Sequence, residues 1–175
     1  GANIVITSES CPSGTMRLCE LALSNQIDAD IFVGWQGDVP FMAENVIEEL
    51  LQSSQDDSAD VWTLKKRLSN PEDILSPHIV KVVTDQHGDA LYFSRSPIPY
   101  HRDLQETIYY KHIGIYAYTK KALLEIAHQS SCHLAEAEQL EQLNFLHHGL
   151  KVRVHETAFE GFGVDIPEHL EKAHA

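Results

Sequence analysis

Residues 79–94 read IVKVVTDQHGDALYFS, in which two largely apolar runs flank the polar stretch Asp85-Gln86-His87-Gly88. β-Branched and aromatic residues favour strands, and a short polar segment that ends in glycine is typical of a hairpin turn. The stretch therefore predicts two antiparallel strands, at 79–84 and 90–94. A sheet that contains such a hairpin is not purely parallel.

Strand and helix patterns alternate on both sides of this hairpin. Apolar runs predict further strands at 3–7, 30–35, 60–66, 111–118 and 150–155. Helical spacing and cap residues predict helices at 14–25, 44–52, 120–128, 134–147 and 167–174, and a helix start at Asn70-Pro71. This alternation indicates an α/β fold with a mixed sheet. With 175 residues, 43% of them hydrophobic, we expect a single domain over 1–175.

Acidic residues outnumber basic ones, with 26 Asp and Glu against 13 Lys and Arg and a formal net charge of −13. Proteins that bind a nucleic-acid backbone need a basic face, so this charge argues against that class. Cys11, Cys19 and Cys132 have no CxxC spacing, which favours reduced thiols and a cytoplasmic location. No apolar run reaches the ~20 residues that cross a bilayer, so we expect no membrane insertion.

Two aspartates, Asp38 and Asp165, each stand beside residues that favour a turn. Asp38 follows the predicted strand at 30–35, and Asp165 precedes the predicted helix at 167–174. Ligands of open α/β sheets bind at the carboxyl ends of strands, so both residues can lie on one rim and hold Mg²⁺ with a nucleoside triphosphate. Each has a simpler alternative. Asp38 can be an ordinary turn residue, and Asp165 can cap the last helix.

Two further segments can bind anionic groups. The turn Ser13-Gly14-Thr15, with Arg17 just beyond it, can present amides and hydroxyls to a nucleotide at the start of a helix, although it can equally be an ordinary cap. Arg95 ends a predicted strand before two prolines. An arginine fixed in this way can grip a carboxylate or phosphate, and the alternative is a surface ion pair.

Two pairs of side chains can surround a polar ligand. His112 and Tyr116 share one face of the predicted strand at 111–118, where His112 can donate to a substrate oxygen or be a satisfied core residue. Glu138, Glu141 and Gln142 share one face of the predicted helix at 134–147. That acidic edge can flank a polyhydroxy ligand, or it can be solvated surface.

An ordered series of motifs resembles the 3-deoxy-manno-octulosonate cytidylyltransferase (CMP-Kdo synthetase) family. These motifs are SGTMR at 13–17, QGD at 36–38, YFSR at 92–95, HIGIY at 112–116, LEQL at 140–143 and GVD at 163–165. The resemblance implies a Rossmann-like three-layer sandwich with a mixed sheet, of the nucleotide-diphospho-sugar transferase type. It also implies that CTP and Kdo, the 3-deoxy-manno-octulosonate sugar acid, give CMP-Kdo and pyrophosphate with Mg²⁺, for lipopolysaccharide biosynthesis.

The same resemblance assigns roles to single residues. It makes Asp38 and Asp165 the catalytic, metal-binding aspartates. Nucleotide contacts fall at Ser13, Gly14 and Gln36, and the turn motif adds Arg17 as a further candidate for nucleotide binding. Contacts to the sugar acid fall at Arg95, His112, Tyr116, Glu138 and Gln142.

The chain also departs from the family pattern. It lacks the basic, glycine- and proline-containing loop with which the family begins, so we expect the domain to be N-terminally incomplete. Gly34 and Val39 replace an asparagine and a glutamate around Asp38, and Met16 replaces an acid. Two alternatives stay open: a cytidylyltransferase for another 2-keto acid sugar, and a non-catalytic binding or dimerisation fragment. Family members commonly pair, so we expect a homodimer, with apolar surface from Tyr100, Ile108, Tyr109 and Tyr110.

Overall fold

The computed structural model describes residues 3–24, 26–35, 44–54, 59–102 and 107–159. Its helices are α1 (Gly14–Ser24), α2 (Glu44–Ser53), α3 (Pro71–Leu75), α4 (Lys120–Ile126), α5 (His133–Glu138) and α6 (Gln142–His147). Its strands are β1 (Ile31–Gly34), β2 (Val61–Leu68), β3 (Lys81–Thr84), β4 (Ala90–Ser94), β5 (Tyr109–Thr119) and β6 (Val152–Glu156).

The strands form one mixed sheet in the order β4-β3-β5-β2-β6, and β1 pairs with β5. The β2–β6 pair is parallel, whereas the other named pairs are antiparallel. The predicted hairpin is confirmed as β3 and β4. Its turn has Gly88 at φ +83°, and the Asp85 carboxylate accepts hydrogen bonds from the amides of His87 and Asp89 at 2.8 and 2.9 Å.

Helices cover both faces of the sheet, which confirms the predicted three-layer α/β architecture. On one face, Cys19 and Ala22 of α1 join a buried core that includes Leu123 of α4 and Phe145 of α6. On the other face, the buried side chains of α2 pack against β2 and β5. Successive residues of β2 point into opposite cores, as Val61 and Trp62 do.

Two predicted elements are wrong. Residues 3–7 form no strand, and Ile4 and Ile6 are 86% and 91% exposed, because the run has no sheet partner among the described residues. The predicted helix at 134–147 is two helices, since Gln139 adopts a left-handed conformation at φ 53°. The break turns Leu140 into the core. The predicted helix at 167–174 lies outside the described residues.

The three cysteines are free thiols, and Cys19 and Cys132 are buried. The Cys11 thiol donates to the Glu20 carboxylate at 3.1 Å, and this hydrogen bond raises the pKa of the thiol. In the part of the chain that the structure describes, no helix has both the length and the apolar character needed to cross a membrane.

We expect Phe93→Ala to lower the free energy of unfolding by about 3–5 kcal/mol, because Phe93 is fully buried in β4. Urea denaturation measures the change. Leu91→Ala is the matched control from the same strand: Leu91 is 62% exposed, and its loss should change stability by no more than ~0.5 kcal/mol. Equal effects of the two variants would contradict the packing described here.

Candidate active site

Strand β5 carries a bulge opposite Thr63. Thr63 pairs with Tyr116, whereas the next residue of β2, Leu64, pairs with Ile113, so β5 is longer at this point than the strand it pairs with. The rings of His112 and Tyr116 lie 5.3 Å apart, although residues four apart in a regular strand are separated by ~13 Å. The bulge therefore brings two predicted sugar-binding side chains into contact.

Gly114 lies in the bulge between these two side chains and is exposed. A Cβ atom added at Gly114 would meet no atom of the described residues within 4 Å. Within the described part of the chain, the bulge thus leaves open space beside two polar aromatic rings. A glycine inside a strand pattern is the sequence signal for such a bulge.

The buried Thr63 hydroxyl fills the bulge from β2. Its oxygen lies 3.0 Å from the Ile113 carbonyl, 2.8 Å from the Ile115 carbonyl and 2.9 Å from His112 Nε2. A hydroxyl has a single proton, and the two carbonyls can only accept. The Thr63 proton is therefore directed at the carbonyls, and His112 Nε2–H donates to Thr63.

His112 is neutral in the folded chain, because burial lowers its pKa to about 3. The edge of the Phe93 ring packs against it, with the ring centroids 5.0 Å apart. Since Thr63 takes the single N–H of the neutral ring, Nδ1 remains as an acceptor. The ring therefore offers a substrate an acceptor, and not the donor that the sequence suggested.

Tyr116 begins a row of aromatic rings between the sheet and α6. Its ring stacks on Tyr118 at 5.7 Å and meets Phe145 edge-on at 6.3 Å. Burial raises the pKa of Tyr116, so its hydroxyl stays protonated. Gln142 lies one helical turn before Phe145. Its side chain is buried beside this row of rings.

Arg95 and Glu138 join the end of β4 to the end of α5. The Glu138 carboxylate accepts from the Ser94 hydroxyl at 2.6 Å and from the Arg95 amide at 2.8 Å. The Arg95 guanidinium donates to the carbonyls of Glu138, Pro77 and Gln139 at 2.7, 3.0 and 3.3 Å. A guanidinium has further N–H groups beyond these, so Arg95 can hold the turn and still bind an anion.

Lys81 supports the same turn and was missed by the sequence analysis. Its side chain is fully buried, and Nζ donates to the carbonyls of Ser76, Ile79 and Arg95 at 2.8, 2.6 and 2.5 Å. Burial lowers its pKa, and the nearby Glu138 carboxylate opposes that shift. A lysine in the apolar run of β3 is the sequence signal that could have identified it.

The predicted nucleotide turn is held at the start of α1. Ser13 Oγ accepts from the Met16 amide at 3.3 Å and donates to Glu141 Oε1 at 2.8 Å. Arg17 donates to the Thr7 hydroxyl at 2.6 Å and to the Ser8 carbonyl at 3.1 Å, which orders the segment before the turn. Gly14 is exposed, and no atom of the described residues lies within 4 Å of a Cβ built there.

Phe93 and Glu141 connect the predicted site residues. Phe93, which contacts His112, directly precedes the turn that Arg95 and Glu138 hold. Glu141 links the nucleotide turn to α6, where Gln142 lies. The predicted sugar residues and the predicted nucleotide turn therefore border one region of the domain.

The proposed metal ligands Asp38 and Asp165, and the predicted nucleotide residue Gln36, lie outside the described residues. Within the ranges that the structure does describe, no group of three or more His, Cys, Asp or Glu side chains could hold a metal ion. The metal pair stays a prediction.

We expect His112 to make the folded chain less stable in acid. Its pKa is about 3 when folded, against 6.5 for an unperturbed histidine. As the pH falls from 6.5 towards 3, the unfolded chain binds a proton here that the folded chain does not, so stability is lost. His112→Gln should lessen the decline by ~1 kcal/mol per pH unit across this window, measured by urea denaturation.

His128→Gln is the control, because it removes an exposed histidine instead of a buried one. If His112→Gln and the unsubstituted chain lost stability with equal slope between pH 6.5 and pH 4, the neutral buried state of His112 would be wrong.

Known proteins resemble this chain in both sequence and overall fold. A family model described as Cytidylyltransferase matches residues 1–153. The 3-deoxy-manno-octulosonate cytidylyltransferase of Geobacter metallireducens is 44% identical over 184 residues, with 98% of this chain and 72% of that protein covered. The corresponding protein of Christiangramia forsetii is 41% identical over 177 residues, with 99% and 71% covered.

A solved structure of CMP:2-keto-3-deoxy-manno-octonic acid synthetase complexed with CTP superposes with a TM-score of 0.90. It is 40% identical in sequence, and the match covers 97% of this chain and 69% of that one. Sequence and fold agree over nearly the whole chain, so the chain belongs to the 3-deoxy-manno-octulosonate cytidylyltransferase family.

Proposed function

We propose that this chain transfers CMP from CTP to the sugar acid Kdo and releases pyrophosphate, as a step of lipopolysaccharide biosynthesis. The observation that carries the proposal is the contact of His112 with Tyr116 across the β5 bulge, beside open space at Gly114. This arrangement lies on a fold that matches a CTP-bound synthetase at a TM-score of 0.90.

The sugar acid binds on the bulge side of the site. A polyhydroxy ligand needs neutral donors and acceptors, and these are His112 Nδ1, the Tyr116 hydroxyl and the Gln142 amide. Arg95 binds the carboxylate of the sugar through N–H groups that its carbonyl partners leave free. Glu138 acts mainly by holding the Arg95 backbone in place.

The nucleotide binds at the turn that starts α1. Ser13 is partly exposed and Gly14 is exposed, so the backbone there can come close to a base or ribose. We assign Gln36 to the same subsite. Arg17 supports the turn through Thr7 and Ser8, so its contribution to nucleotide binding is indirect.

The chemistry is a direct displacement. The anomeric hydroxyl of Kdo attacks the α-phosphorus of CTP, and pyrophosphate leaves. Because negative charge is spread over phosphoryl oxygens in this reaction, the protein contributes mainly by positioning the two substrates and by electrostatic stabilisation. Thr63 and Lys81 suit that role, because both side chains are buried and hydrogen-bonded to the backbone around the site.

We assign Mg²⁺ as the cofactor, with Asp38 and Asp165 as its protein ligands. Two carboxylates match the oxygen donors that Mg²⁺ takes alongside substrate phosphates. When bound, the ion supplies positive charge to a chain whose formal net charge is −13.

We also propose a homodimer located in the cytoplasm. Tyr100 and Ile108, which are 85% and 45% exposed, can provide apolar contact surface. Tyr109 is buried in β5, and Tyr110 lies under Lys65 with Nζ 4.6 Å from its ring centre, so these two contribute less surface than the sequence suggested. A monomeric mass by light scattering would contradict the dimer.

We expect Gly114→Val to raise the KM for Kdo by about tenfold and to leave the KM for CTP within about twofold, because the added side chain enters the sugar subsite. Gly14→Val should do the reverse and raise the KM for CTP. Pyrophosphate release measures both constants. A Cβ fits at each position without a close contact among the described residues, so both variants should fold.

The two glycine variants are controls for each other. If each variant raised the KM for Kdo and the KM for CTP by similar factors, the assignment of two separate subsites would be wrong. If the unsubstituted chain released pyrophosphate with another 2-keto acid sugar but not with Kdo, the substrate would be wrong and the reaction class would remain.

We expect chelation by EDTA to lower pyrophosphate release by at least about 10²-fold, and Mg²⁺ to restore it. Asp38→Asn and Asp165→Asn should remain inactive at saturating Mg²⁺. Asp28→Asn removes an exposed carboxylate and serves as the control. Full activity of either site variant would exclude that residue as a ligand.

A further inference from the structure

One carboxylate, that of Glu141, accepts from both hydroxyls of the nucleotide turn. Ser13 Oγ lies 2.8 Å from Glu141 Oε1, and Thr15 Oγ1 lies 3.1 Å from Glu141 Oε2. The two hydroxyls stand on either side of Gly14, at the start of α1. Glu141 comes from the far end of the chain, beside α6, so the fold itself brings these groups together.

The direction of each hydrogen bond follows from the number of protons. A carboxylate has no proton to give, so Ser13 and Thr15 both donate to Glu141. Thr15 Oγ1 also lies 3.2 Å from the Tyr118 hydroxyl. Because the Thr15 proton is directed at Glu141, Tyr118 donates to Thr15. Burial raises the pKa of Tyr118, which keeps that proton in place.

Ser13 is left with an acceptor. Its proton is directed at Glu141, and one lone pair accepts from the Met16 amide at 3.3 Å. A hydroxyl oxygen has a second lone pair, and Ser13 is partly exposed beside the open space at Gly14. A ligand in that space therefore meets Ser13 as an acceptor, and a donor on the ligand matches it.

We infer that Glu141 is a positioning residue that determines the preference for cytosine, by fixing Ser13 as an acceptor for the 4-amino group of the base. This inference rests on the proposed function, in which the turn binds the cytidine of CTP. Cytosine presents an amino donor at the position where uracil presents a carbonyl acceptor. Uracil would place that carbonyl against the lone pair of Ser13.

Glu141→Gln tests the inference with little change of shape. The glutamine amide can donate to Ser13, and the Ser13 proton is then free to donate to a uracil carbonyl. We expect the ratio of kcat/KM for CTP to kcat/KM for UTP, measured with Kdo, to fall by about tenfold. The ratio of dissociation constants for the two nucleotides should fall equally, which gives a reading without catalysis.

Ser13→Ala should lower the same ratios, and the double variant should lower them no further than either single variant. Glu136→Gln, which removes an exposed carboxylate from α5, should leave both ratios unchanged. If Glu141 had a purely structural role, its loss would weaken the binding of CTP and UTP alike and leave the ratios at their original values. A contact of Ser13 with the ribose, which both nucleotides share, would give the same result. Unchanged ratios would therefore overturn the inference.

Assays of the unsubstituted chain distinguish a failure of this inference from a failure of the proposed function. If it releases pyrophosphate with CTP and Kdo while Glu141→Gln and Ser13→Ala keep its nucleotide preference, the inference alone is wrong. If it binds neither nucleotide, or binds both equally, the assignment of the turn to cytidine fails and the inference fails with it.

Discussion

The arrangement of the site depends on the buried hydroxyl of Thr63. A bulge leaves strand carbonyls without ladder partners, and an unsatisfied buried carbonyl is costly. Thr63 serves two such carbonyls, at 3.0 and 2.8 Å, and its oxygen also fixes the orientation of the His112 ring. One side chain on β2 therefore permits the bulge, brings His112 against Tyr116 and leaves Gly114 at the surface. Its replacement by valine, of similar shape, would leave both carbonyls and the His112 N–H without this partner.

A second set of buried polar groups holds the turn after β4. Lys81 donates to three backbone carbonyls, so its charge is stabilised by backbone dipoles together with the nearby Glu138 carboxylate. The Arg95 carbonyl is one of those acceptors, and the Arg95 amide donates to Glu138. The backbone of Arg95 is thus fixed at both polar groups before any ligand binds. Such preorganisation is the main contribution a protein makes to a reaction in which charge develops on phosphoryl oxygens.

Much of the fold could be predicted from the sequence, because the hairpin and the alternating apolar runs depend on local patterns. The site was predicted less completely. His112 and Tyr116 were placed on one face, yet their contact depends on a bulge that only the pairing register with β2 reveals. The role of Thr63 and the direction of its hydrogen bond with His112 depend on groups about fifty residues away in the chain, which no local pattern specifies. The prediction that residues 3–7 form a strand failed for a related reason: β propensity without a partner strand does not make a sheet.

The break at Gln139 explains why two glutamates three residues apart act in different places. In a continuous helix, Glu138 and Glu141 would share one face, as the sequence suggested. The left-handed conformation of Gln139, at φ 53°, reorients the chain after α5. Glu138 then meets the end of β4, whereas Glu141 meets the turn before α1. One backbone conformation therefore gives each proposed subsite its own carboxylate, which supports protein groups there and does not need to contact a negatively charged substrate.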